Sequence, residues 1–82
     1  MDNTSLPPDK VVIITRIEYL ISNLNNDRDM ISKAIYQLID EHNISEITDI
    51  MIYFYEMLLF RGYAEFAEEF AKKYAIPRQE NG

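Results

Sequence analysis

Ile50 to Phe60 reads Ile-Met-Ile-Tyr-Phe-Tyr-Glu-Met-Leu-Leu-Phe, and Glu56 alone breaks the apolar run. A surface helix on a small domain buries one apolar stripe and keeps its other side polar. A helix that is apolar all round needs a second covering surface, from its own chain or another. The run is too short to cross a membrane, which takes about 18 or more consecutive apolar residues. It is therefore expected to be either the central post of a helical bundle or a surface made for another chain.

Chain length sharpens that expectation. Eighty-two residues suggest one domain, and a chain of this size buries only roughly 60–65% of its unfolded surface. Small domains often add a staple or a subunit partner. Without cysteine, neither a disulfide nor a thiolate zinc site can be that staple, and a reducing compartment fits. With two glycines and three prolines, breakers are scarce, which favours helices over an all-β fold. The amino terminus, Met1 to Asp9, has no basic start followed by an apolar block, so a cytoplasmic location is expected.

The period of the apolar residues divides the chain into four helical segments. Residues 1–8 read as a disordered lead-in ending in Pro7-Pro8, and 77–82 as a disordered polar tail. Between them, 9–76 is expected to form a single helical domain. The first helix should start at Asp9 as N-cap and reach about Leu24, with Ile13, Ile17, Leu20 and Leu24 spaced for one face. Val11 to Ile14 is β-branched throughout, a local preference for strand that the later helical pattern should override. Asp27 can cap a second helix with Ile31, Ala34, Ile35 and Leu38 inside, ending near His42-Asn43.

Asn43 or Ser45 is expected to cap the third helix, with Asn43-x-x-Glu46 in the form of a capping box. That helix runs from about Ser45 to Phe60. Ile47, Ile50 or Met51, Phe54 and Leu58 make one stripe, and Ile52, Tyr55 and Leu59 a second. Gly62 is the natural C′ residue after it. Tyr63, Phe66, Ala67, Phe70, Ala71 and Tyr74 give the fourth helix the cleanest period in the chain, and Pro77 should stop it. Short loops favour antiparallel neighbours.

Chemistry is harder to find. His42 is the only histidine; Asp40 lies two residues away and so on another side, and Glu46 lies across a helix break. A cation at a helix C-terminus accounts for it better than a metal ligand. Glu65, Glu68 and Glu69 share a helical side, but alternation with Ala64 and Lys72 marks a wet face rather than a catalytic carboxylate pair. The serines have no nucleophile context, and no glycine-rich phosphate loop exists. Neither an enzyme nor a cofactor is expected.

Fourteen acids against eight scattered bases give a net charge of −6, which opposes direct nucleic-acid binding. A helix-turn-helix reader over residues 31–55 fails on the same ground, since its recognition helix would carry Glu46, Asp49 and Glu56 without a base. The aromatic residues lack the basic groove of a stacking platform. They fit core packing plus an interface.

Leu58-x-x-x-Gly62-Tyr63-x-x-x-Ala67-x-x-Phe70 resembles the LisH dimerisation hairpin, and more loosely the turn of a tetratricopeptide repeat. Phe66 and Met57 depart from the LisH pattern, which usually has a small hydroxyl residue and a tyrosine there. The likeness is confined to these residues, and what it implies is a homodimer.

The sequence thus predicts an all-α fold, a compact bundle of four short antiparallel helices assembled as a homodimer. Its expected task is that of a non-enzymatic interaction module: a small acidic regulator, adaptor or inhibitor without membrane contact. Itself or another protein is the expected partner, met through Ile52, Tyr53, Tyr55, Leu59 and Phe60. The second reading is an acidic decoy, similar to some phage inhibitors and immunity proteins, that covers a basic nucleic-acid-binding surface on a target. Asp40, Glu41, Glu46, Asp49, Glu65, Glu68 and Glu69 would then be its working groups.

Overall fold

The computed structural model describes residues 7–76. Among them the chain is all-helical, with four α-helices and one 3-10 turn and no strand. The expected disordered lead-in, for residues 1–6, and the whole expected tail, 77–82, lie outside the described residues, as does Pro77 as a helix stop. The contacts gather into two compact units, one ending at Ile44 and the other starting at Ser45.

The first unit pairs α1 (Pro8–Ser22) with α2 (Arg28–Glu41). Helix α1 starts two residues earlier than its acidic N-cap signal suggested: Pro7 is the N-cap and Pro8 occupies the first helical position. Proline suits that position because its φ is preset and the missing N–H would have had no partner there. The β-branched stretch Val11–Ile14 is helical, and Thr15 Oγ1 donates back to the Val11 carbonyl at 2.9 Å. Packing of the opposite side overrides the local strand preference. Ile17 and Ile21 are buried on α1; Ile31, Ile35 and Ile39 on α2; Leu24 and Ile44 in the adjoining turns. Leu24 lies past the end of α1 rather than inside it.

Helix α2 begins as its sequence indicates, the Asp27 carboxylate accepting from the Met30 N–H at 3.2 Å. It ends near His42, its C-cap, as expected. Asn43 does not cap the next helix but takes a left-handed conformation at φ 56° just beyond α2, a role for which asparagine is second only to glycine. Lys10 Nζ donates to the His42 carbonyl, so a cation of α1 serves the carbonyl end of α2.

The 3-10 turn Ile44–Glu46 spans the boundary between the units, and the second unit pairs α3 (Thr48–Phe60) with α4 (Ala64–Tyr74). The N-cap of α3 is Ile47, with no side-chain capping bond, so neither Asn43 nor Ser45 caps it. Its other end follows expectation. Gly62 sits at φ 88°, its N–H reaching the Leu59 carbonyl at 3.0 Å while that of Tyr63 reaches Leu58 at 2.8 Å. These are the two bonds of a Schellman ending.

On α4, Phe66, Ala67 and Phe70 are buried, and the rings of Phe66, Phe70 and Tyr74 follow one another at 6.2 and 5.3 Å. Ala75 is left-handed at φ 53°, and the Ile76 N–H turns back to the Ala71 carbonyl at 3.0 Å. Ile76 is buried as a result.

Candidate functional site

Position along α3 decides which of its apolar side chains can meet a partner. Met51, Phe54, Tyr55 and Leu58, at i, i+3, i+4 and i+7, are buried and make a single helical stripe. Tyr55 was grouped by sequence spacing with Ile52 and Leu59 as an interface residue. At 8% exposure it belongs to the buried stripe instead.

The remaining four interface candidates lie off that stripe. Ile52 is half-buried, Tyr53 and Leu59 are 44% and 43% exposed, and Phe60 is 92% exposed. Seven residues apart is nearly two full turns, so Tyr53 and Phe60 stand above one another, and Ile52 and Leu59 form a parallel pair on the flank. Glu56, also exposed, falls between Tyr53 and Phe60. Tyr53, Glu56, Met57, Phe60 and Arg61 line an open depression on this outer side of α3. Chemically it combines apolar side chains with one carboxylate and one guanidinium.

The seven acidic candidates are all exposed. Glu65, Glu68 and Glu69 share one side of α4; Glu46 and Asp49 lie at the start of the second unit; Asp40 and Glu41 occupy the last turn of α2 in the first. Glu41 accepts from Gln37 Nε2 at 2.9 Å.

Among the described residues no polar or charged residue is buried, and no three His, Asp or Glu side chains gather as a metal would require. His42 is half-buried as the C-cap of α2. No helix among the described residues is long and apolar enough to cross a membrane.

One surface was not singled out by sequence. A groove of the first unit is lined by Arg16, Tyr19, Leu20, Ala34, Gln37, Leu38 and Glu41. Tyr19 and Val12 are among the most exposed large apolar side chains of the chain. Their spacing, i and i+7 on the side of α1 away from Ile17 and Ile21, was the available signal.

Fold and surface together define an all-helical protein with an exposed aromatic face. No protein-family model, curated protein or solved structure matches the chain. The LisH-like features of residues 58–70 therefore rest on those residues themselves, of which Gly62 is the left-handed turn residue and Ala67 and Phe70 are buried.

Proposed function

We propose that this protein is a non-enzymatic, cytoplasmic interaction module that acts through the outer face of α3. In this reading its helices run antiparallel within each pair, as the short connections favour, and it assembles as a homodimer. Its biological role is to regulate, adapt or inhibit another protein. The observation that carries the reading is Phe60, 92% exposed and flanked by the exposed Tyr53 and Leu59. A large aromatic side chain left in water loses roughly 1.5–3 kcal/mol of stabilisation that burial would supply. Aromatic anchors surrounded by smaller apolar contacts dominate protein interfaces.

The test is native mass by light scattering across a range of concentrations. Wild type should approach twice the chain mass of 9.7 kDa. Phe60→Glu should stay at the single-chain mass, because losing an anchor worth about 2 kcal/mol weakens association roughly 30-fold. Equal dimerisation by both proteins would refute a role for this face in self-association.

A second reading is favoured by one separate observation, the exposure of all seven acidic candidates. As a decoy for a basic surface, the protein would bind with an affinity that falls steeply as salt is raised. Binding through the α3 face should instead be nearly insensitive to moderate salt.

A further inference from the structure

The outer face of α3 has a charge at its centre, and that charge restricts what can cover it. An antiparallel pairing of α3 with its own copy that set Tyr53 against Phe60 would bring the two Glu56 carboxylates beside each other across the two-fold axis. Like charges in a desolvated contact are strongly disfavoured. A suitable partner face carries a cation between two apolar side chains seven residues apart.

The first unit presents such a face. On α1, Val12 and Tyr19 are 63% and 68% exposed, and Arg16 lies exposed between them. Among the exposed large apolar residues of the described chain, Val12 with Tyr19 and Tyr53 with Phe60 are the pairs seven apart. An antiparallel register that sets Val12 against Phe60 also sets Arg16 against Glu56 and Tyr19 against Tyr53. Neither Arg16 nor Glu56 has an ion-pair partner among the described residues. Resting on the self-association proposed above, we infer that the α3 face is covered by the outer face of α1 from a second copy, with Arg16 of one chain paired to Glu56 of the other. A two-fold dimer makes this contact twice.

Charge reversal tests the register. Sedimentation equilibrium would compare wild type, Arg16→Glu, Glu56→Arg and the double variant carrying both, with helix content checked by circular dichroism. Both positions are exposed, so all four proteins should keep their helices. Each single reversal places like charges together and should raise the dissociation constant about tenfold or more. The double variant should restore it to within about threefold of wild type.

Tighter association by a neutral Glu56→Gln variant would point to α3 pairing with α3 and overturn the inference. Equal association by all four proteins would overturn it while leaving self-association in place. A wild type that stays at single-chain mass throughout would remove self-association itself, and this inference with it. The α3 face would then remain as a surface for a different protein.

Discussion

Replacing Ala75 by glycine should make this protein more stable, although it only removes an exposed methyl group. Ala75 sits at φ 53° and ψ 45°, where a side chain with a Cβ is about 1–2 kcal/mol less comfortable than in a right-handed turn. Glycine has no such penalty but loses about 0.4–1 kcal/mol more freedom on folding. The difference leaves glycine ahead by about 0.5–1 kcal/mol. For a domain of this size that raises the thermal midpoint by about 2–8 °C.

Gly62 supplies the reciprocal experiment. It has φ 88°, and a Cβ built there meets nothing within 4 Å. Gly62→Ala therefore tests backbone conformation without steric interference, and should cost about 0.5–1 kcal/mol by the same terms with reversed sign. Thermal and urea unfolding followed by circular dichroism would measure both. A lower midpoint for Ala75→Gly, or an unchanged one for Gly62→Ala, would refute the view that left-handed residues set the ends of α3 and α4.

Three further outcomes are expected. Asp27→Ala removes the acceptor at the start of α2 and should destabilise by about 0.5–2 kcal/mol in urea unfolding. Phe54→Ala empties a site with no exposure and should cost about 3–5 kcal/mol; a loss under 1 kcal/mol would contradict its place in the core. Phe60→Glu, at the opposite extreme of burial, should change monomer stability by no more than about 0.5 kcal/mol while weakening any assembly made through α3.

Local signals were legible where one residue had one structural use. Asp27 had only the start of α2 to cap, and Gly62 only the end of α3 to turn. The pattern from Tyr63 to Tyr74 had polar positions between its apolar ones, so its phase was set. Asn43 failed as a signal because asparagine serves equally as an N-cap and as a left-handed residue. Its spacing to Glu46 matched the capping box, yet its backbone adopted the other role. Helix α3 was hard to orient for a different reason. A helix apolar on nearly every side has no contrast to fix its rotation, so Tyr55 and Tyr53 could not be told apart before packing was known. The match between the α1 and α3 faces on which the proposed contact rests was present in the spacing of residues 12, 16, 19, 53, 56 and 60. It acquired meaning only when exposure separated those residues from their buried neighbours.

The distribution of tyrosine has an optical consequence. The chain has no tryptophan and six tyrosines, and among the described residues Tyr55 is the one that is buried. The first unit buries isoleucines and a leucine, which absorb nothing in the near ultraviolet; of its two tyrosines Tyr19 is exposed and Tyr36 half-buried, while the other four lie in the second unit. Near-ultraviolet dichroism of native tyrosine should thus report chiefly on the second unit, whereas the far-ultraviolet signal counts helices in both. Heating one sample while recording both bands gives each unit its own voice. Coincident transitions would mean that the units melt as one cooperative body, and separated ones that each half carries its own stability.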